Sequence, residues 1–229
     1  SKFEIDGTTI DFKLHEFPFQ IKSFPRPYSV DLVTSISQLN NYLIDVDYLI
    51  IDKNILHLYE INFPRKSNLF VINSLEKNKN LTTVIELINK LTECQISKGS
   101  KVLAIGGGII QDIAACACAL FRRGQPFIYM PTTTLGQLDS CIGAKCAVNT
   151  SKAKNIVGLF SAPSMVLIPT FMIQTMNLIE HRAGLSEMLR LCLTLSNNAV
   201  TKYIEYLNDI STPDKLNAAI YLNALKLSL

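Results

Sequence analysis

The stretch VLAIGGGIIQDIAACACALF, residues 102–121, decides how the rest of the chain is read. Val102 to Ile105 form an apolar run too short for a helix and suited to a strand buried on both faces. Gly106-Gly107-Gly108 follow, and then a segment rich in Ile, Ala and Cys whose small side chains fit a helix packed closely on a sheet. Backbone without side chains lets a pyrophosphate approach the free amides at a helix start. The same triple glycine also serves as a plain tight turn, and its spacing is not G-x-G-x-x-G, so the residues alone leave both readings open.

The pattern repeats on either side. Upstream, YLIIDKN (residues 48–54) reads as a buried strand ending in Asp and Asn, and LFVIN (residues 69–73) as a second. Between Leu81 and Cys94, Val84, Leu87, Ile88 and Leu91 recur at helical spacing, and Gly99 closes that element. Residues 1 to about 33 alternate with period two (Phe3, Ile5; Ile10, Phe12, Leu14; Phe19, Ile21) around a turn at Gly7, which predicts a hairpin or meander extending the sheet. Downstream, PFIYMPTT supplies a strand and loop, and MVLIPT (residues 165–170) another strand. Almost everything after Phe171 reads helical, with a break at Ser211-Thr212-Pro213. The expected architecture is an α/β unit over residues 1–171 followed by the start of a helical unit over residues 172–229.

Composition narrows the function classes. A chain of 229 residues with 48% hydrophobic and 18% charged residues folds around a core and lies outside the disordered range. A net charge of +3, with Lys and Arg scattered, argues against a nucleic-acid or anionic membrane partner. Of the six cysteines, Cys116, Cys118, Cys141, Cys146 and Cys192 sit in apolar or small-residue runs where free thiols pack, and the one-residue gap between Cys116 and Cys118 does not suit zinc. The N-terminus lacks the apolar core of a signal peptide, and no run reaches membrane-spanning length, so a cytoplasmic location is expected.

Polar residues stand at the ends of successive predicted strands: Asp52 and Asn54, then Glu76 and Lys79, then the glycines with Asp112, then Thr132 and Thr133. Ligands of open α/β sheets bind beyond the carboxyl ends of strands, so these residues are expected to converge on one crevice. Taken singly, Asp52 and Asn54 also read as a turn or helix cap. The following stretch, LDSCIGAKCAVNTSKAKNIVGLF, interleaves Asp139, Lys145, Asn149, Lys152, Lys154 and Asn155 with small and apolar residues. Its lysines suit a phosphorylated, polyhydroxylated ligand, or else form a solvated basic loop.

The stretches GGGIIQDIA, FRRG, PTTTLGQLDSCIGAKCAVN, KNIVG and AGLSEMLR, spread over roughly residues 100–190, together resemble the 3-dehydroquinate synthase family of sugar phosphate cyclases. DKN at residues 52–54 and Glu76-x-x-Lys79 agree more weakly. The resemblance implies a Rossmann-like nucleotide-binding domain followed by a helical domain. It implies NAD contacts from Asp52, Asn54, Glu76, Lys79, Gly107, Gly108, Asp112, Thr132, Thr133, Lys154 and Thr175, and substrate-side roles for Asp139, Lys145, Asn155, Arg190 and Lys226. Arg123 corresponds to an arginine that in family members reaches the neighbouring subunit's site, which implies a homodimer; otherwise it is a surface charge. Glu187 matches the family's carboxylate ligand to a divalent metal, zinc or cobalt, although a lone helical Glu is usually solvent-facing.

The chain departs from the family in places. The family's two histidine ligands come from a GHxxGH-like segment downstream of Lys226, beyond Leu229, and His15, His57 and His181 do not replace them by motif. His181 is six residues before Glu187, so the two point to different faces of one helix. With Glu187 as its one expected ligand, the chain as given is expected to hold metal weakly and to be incomplete for catalysis. Arg190 stands where lysine is usual, and Gln111, Ala144 and Leu75 replace glycines.

In the family, NAD transiently oxidises a ring hydroxyl of the sugar phosphate, phosphate leaves, the ketone is reduced back and the opened ring closes by aldol addition. The leading expectation is therefore a lyase of aromatic biosynthesis acting on a seven-carbon sugar phosphate, 3-deoxy-arabino-heptulosonate 7-phosphate. A sibling cyclase using sedoheptulose 7-phosphate or glucose 6-phosphate, a non-catalytic homologue, and a related metal-dependent polyol dehydrogenase are the alternatives.

Overall fold

The computed structural model describes residues 2–5, 8–11, 18–23, 26–195 and 197–209. Strands β1 (Lys2–Ile5) and β2 (Thr8–Asp11) pair antiparallel with Phe3 opposite Ile10, which matches the period-two pattern. They form a sheet of their own. The extension of the main sheet comes instead from β3 (Phe19–Ile21), antiparallel to β4 (Tyr28–Val33). Helix α1 (Ile36–Ile44) follows, with the Ser35 side chain accepting from the Gln38 amide as its cap. Nothing in the sequence pattern announced α1: it buries only Leu39 and Leu43, one turn apart, among polar residues.

β5 (Tyr48–Asp52) runs into α2 (Lys53–Leu58), and β6 (Leu69–Ile72) precedes α3 (Leu81–Glu93). In α3, the Asn80 side chain caps the Thr83 amide, and Val84, Leu87 and Leu91 face the core at the predicted spacing. β7 (Val102–Gly106) leads into α4 (Gly108–Leu120), and then comes β8 (Phe127–Pro131). β9 (Lys145–Val148) and β10 (Val157–Phe160) form an antiparallel ribbon apart from the main sheet. The expected strand near residue 165 is β11 (Met165–Pro169), and beyond it lie α5 (Leu178–Leu195) and α6 (Asn197–Asp209), in line with the helical reading as far as Asp209; the expected break at Ser211-Thr212-Pro213 lies outside the described residues.

The main sheet has seven strands in the order β3-β4-β11-β8-β7-β5-β6, parallel from β4 onward. Every residue of β5 and β7 is buried, as expected for strands covered on both faces. One face packs on α3 and α4 in a core that also takes in Leu185, Met188, Cys192 and Tyr203 from the last two helices. The other face packs on Leu39 and Leu43 of α1 and on Ile55 and Leu56 of α2. After β5 the chain steps outward to β6 and then crosses back to β7 on the other side of β5. The strand order therefore reverses between β5 and β7, which is where open α/β sheets form their binding crevice.

Candidate functional site

The carboxyl ends of β5, β7 and β8 open on this reversal point. The three glycines after β7 differ in what surrounds them. A Cβ on Gly106 would lie 2.2 Å from Ile110 Cγ1, and one on Gly107 would lie 2.8 Å from Thr133 Cγ2, so packing fixes both. A Cβ on Gly108 would meet nothing within 4 Å. Gly108 opens α4, whose cap residue Gly107 brings no side chain to the first-turn amides. Those amides have no partner within the helix, and with an open backbone above them they suit a phosphate group. Thr132 binds Gly106 O through its amide at 3.0 Å, and Thr133 Oγ1 accepts from the Gly136 amide at 3.1 Å, so the two threonines shape the neighbouring wall.

Asp52, at the end of β5, is buried. One of its oxygens accepts from the Asn54 amide at 2.8 Å and the other from Ser74 Oγ at 2.7 Å, so it caps α2 and ties β5 to the segment after β6. Asn54 is exposed beside it.

A second group gathers around Lys79. This lysine is 8% exposed, and its Nζ lies 2.5 Å from Asp112 Oδ2 and donates to Asn155 Oδ1 at 2.7 Å. Asp112 also accepts from the Ala147 amide at 3.0 Å. Burial pushes the Asp112 carboxyl above its ordinary range, and Lys79 opposes that push. Asn149 donates to Glu76 Oε1 at 2.8 Å, which holds the Glu76 carboxyl below its usual range. Lys154 lies 3.8 Å from the same carboxylate. Six residues singled out from the sequence, Glu76, Lys79, Asp112, Asn149, Lys154 and Asn155, thus form one network that fastens the β9–β10 ribbon to α4. Asn155 holds its place with φ of +54°, a left-handed conformation that Asn tolerates better than most residues.

Asp139 sits on a single turn of π-helix, Gly136–Ser140. Its carboxyl is raised first by burial and then by Glu187, while Arg190 and Lys145 pull it down. These four residues therefore share one electrostatic neighbourhood. Arg190 donates through Nε to Glu187 Oε1 at 2.7 Å and through Nη2 to the same oxygen, so the carboxylate faces a guanidinium. Among the described residues no group of three or more His, Cys, Asp and Glu side chains is placed to hold a metal ion. The described donors thus do not make up a metal centre by themselves.

Thr175 is exposed, with Oγ1 2.5 Å from Tyr59 Oη. Arg122 and Arg123 are both exposed, with φ of +48° and +62°, and Arg122 lies over the Phe121 ring at 5.3 Å. Lys226 and His15 lie outside the described residues.

Two features escaped the sequence reading. Gln111 is buried, donates through Nε2 to Ser140 O at 2.5 Å and accepts from Ser140 Oγ at 2.9 Å, clamping the Asp139 turn onto α4. Its place in a glycine position was visible, but its partner 29 residues away was not. His181 is 3% exposed, and its Nδ1 lies 2.7 Å from Thr134 Oγ1, next to the threonine wall. Burial lowers its pKa, and Nε2 has no partner among the described residues.

Comparison with known proteins places this geometry. The family described as "3-dehydroquinate synthase N-terminal" matches residues 69–183, about half of the chain. The chain belongs to the 3-dehydroquinate synthase family. It is 33% identical over 195 residues to the 3-dehydroquinate synthase of Ruminiclostridium cellulolyticum, covering 80% of this chain and 53% of that protein. It thus spans about half the length of the curated relatives it matches. Among solved structures it resembles a 2-epi-5-epi-valiolone synthase from Streptomyces hygroscopicus subsp. jinggangensis with NAD+ and Zn2+ bound. The TM-score there is 0.75 and the identity 25%, over 91% of this chain and 61% of that one. It also shares its fold with a 2-deoxy-scyllo-inosose synthase complexed with carbaglucose-6-phosphate, NAD+ and Co2+. That likeness has TM-score 0.72 and 23% identity, over 93% of this chain and 62% of the other. No helix among the described residues is long and apolar enough to cross a membrane.

Proposed function

We propose that the protein is an NAD-dependent sugar phosphate cyclase that converts a seven-carbon sugar phosphate, 3-deoxy-arabino-heptulosonate 7-phosphate, into a carbocycle with loss of phosphate. The observation that carries this reading is the meeting of the open Gly108 amides with the Lys79–Asp112–Asn155 network at the strand-order reversal. The α4 amides would take the pyrophosphate, flanked by Thr132 and Thr133, and Asn54, Glu76, Lys154 and Thr175 would line the rest of the nucleotide path. Asp52 would contribute by holding the α2 start in place. Bound NAD would supply reversible hydride transfer, so the overall reaction is redox-neutral.

Asn155 and Lys145 would orient the sugar phosphate, and Asp139 would stand beside the reacting carbons, its carboxyl raised above the ordinary carboxylate range by burial and then by Glu187. Arg190, already on Glu187, supplies positive charge at that end. Residues 1–171 would form the nucleotide-binding domain of a cytoplasmic homodimer, with residues 172–229 opening the helical one.

Calorimetric titration of the chain with NAD, and a phosphate-release assay on the protein with 3-deoxy-arabino-heptulosonate 7-phosphate, sedoheptulose 7-phosphate and glucose 6-phosphate, test the proposal. Saturable NAD binding with release from the first substrate supports it. Release from either of the others identifies a sibling cyclase, and absence of NAD binding overturns the reading.

A further inference from the structure

The turn that carries Asp139 is fastened on both sides. The Cys141 amide donates to Gly136 O, five residues back, at 3.0 Å, which gives the turn its π-helical width. On the near side the fully buried Gln137 donates through Nε2 to Pro131 O at 2.9 Å and Pro169 O at 3.2 Å, tying the turn to the ends of β8 and β11. On the far side Ser140 meets Gln111 in two bonds, one from Gln111 Nε2 to Ser140 O and one from Ser140 Oγ to Gln111 Oε1. Asp139 lies between these anchors, so they set the direction in which its side chain leaves the backbone.

Gln111 is joined to the glycine turn as well. Its amide donates to Gly107 O at 3.0 Å, within the first turn of α4. One residue therefore holds the glycine turn by its backbone and the Asp139 turn by its side chain. Gln111 is 8% exposed, so water competes little for these bonds. It replaces a glycine of the family pattern, and glycine could make neither side-chain bond.

We propose, on the reading of the Gly108 amides as the pyrophosphate site, that Gln111 is a positioning residue for Asp139 that carries nucleotide occupancy to the Asp139 turn. The Gly107 carbonyl and the Gly108 amide belong to the same peptide group. An anion that accepts from the Gly108 amide polarises that peptide and makes Gly107 O a stronger acceptor for the Gln111 amide. The Gln111 backbone is then held more firmly, and its side chain holds Ser140 in turn. The Asp139 turn is stiffest when the nucleotide is in place.

The test is amide hydrogen exchange over residues 136–143, read by mass spectrometry with and without NAD, on protein whose NAD affinity is measured by calorimetry. Saturating NAD should slow exchange there by about fivefold or more, the low end of coupling between sites. Gln111→Met, of similar length and without either side-chain bond, should still saturate with NAD but lose that slowing, which a direct contact between NAD and the turn would leave in place. Gln111→Glu keeps an acceptor for Ser140 Oγ but sets a carboxylate oxygen against Ser140 O. It should behave as Gln111→Met at about pH 8 and regain the slowing as its carboxyl takes up a proton toward about pH 5. Should Gln111→Met fail to fold, Ser140→Ala removes the hydroxyl bond from the other partner and should lose part of the slowing. NAD binding that leaves residues 136–143 unprotected, equal slowing in the parent and Gln111→Met, or a Gln111→Glu response that ignores pH overturns the proposal alone. A parent chain that binds no NAD overturns the reading of the pyrophosphate site, and the proposal with it.

Discussion

Replacing Gly108 with alanine separates the stability of the α4 start from its proposed role. Gly108 opens a helix, and its added methyl has open space around it. A methyl there removes conformational freedom from the unfolded chain without a clash, so Gly108→Ala should stabilise the fold by about 0.4–1 kcal/mol. The same methyl stands where a pyrophosphate would approach the first-turn amides. A displaced hydrogen bond to a charged group costs about 1.5–3 kcal/mol, so NAD affinity should fall by about one to two orders of magnitude. Gly106→Ala is the contrasting case: its methyl would fall 2.6 Å from Ile110 Cβ as well as 2.2 Å from Cγ1, and overpacking of this kind costs about 1–3 kcal/mol. Thermal unfolding followed by circular dichroism reads the first quantity, and calorimetric titration with NAD reads the second. If Gly108→Ala lost stability, the open-space reading would fail. If it gained stability and bound NAD as tightly as the parent, the pyrophosphate would have to lie elsewhere.

Other expectations follow from the buried polar groups. His181 has a folded pKa below its ordinary 6.5, so it contributes stability that is complete above pH 6.5 and is lost as pH falls through the folded value, with a slope of at most about 1.4 kcal/mol per pH unit. His181→Leu should flatten that part of the pH–stability curve, and an unchanged curve would refute the assignment. Lys79→Met leaves Asp112 without its cation at 19% side-chain exposure and should cost about 2–4 kcal/mol in urea unfolding, with partial recovery in Lys79→Met/Asp112→Asn. A loss in the double variant equal to the sum of the Lys79→Met and Asp112→Asn losses would show that the pair is not coupled. Arg123→Ala should weaken binding of a phosphorylated substrate by about 1.5–3 kcal/mol with NAD affinity unchanged, whereas Arg122→Ala should not. A monomer in sedimentation, or equal losses for both arginines, would count against an arginine acting across a dimer.

The buried strands were legible because both faces are covered: β5 and β7 read as unbroken apolar runs, and the glycines mark where one of them stops. The β9–β10 ribbon was not legible. β9 keeps only a short alternation, while every residue of β10 is exposed, so Val157, Leu159 and Phe160 carry no period that a buried face would impose. In the site, types of side chain were readable but pairings were not. Lys79 and Asp112 could each be picked out as polar residues near strand ends, yet their contact depends on how α4 packs, and a sequence holds no local sign of that. His181 was considered only as a possible metal ligand, because the hydroxyl it meets, Thr134, lies 47 residues away.

Gly184, one turn before Glu187, packs so tightly that a methyl there would lie 2.6 Å from both the Leu135 amide nitrogen and Thr134 Cβ. The start of α5 is therefore seated against the backbone of the loop after β8 with no side chain between them. Any side chain at that position would wedge the helix carrying Glu187 away from the threonine loop, so Gly184→Ala should cost about 1–3 kcal/mol in stability.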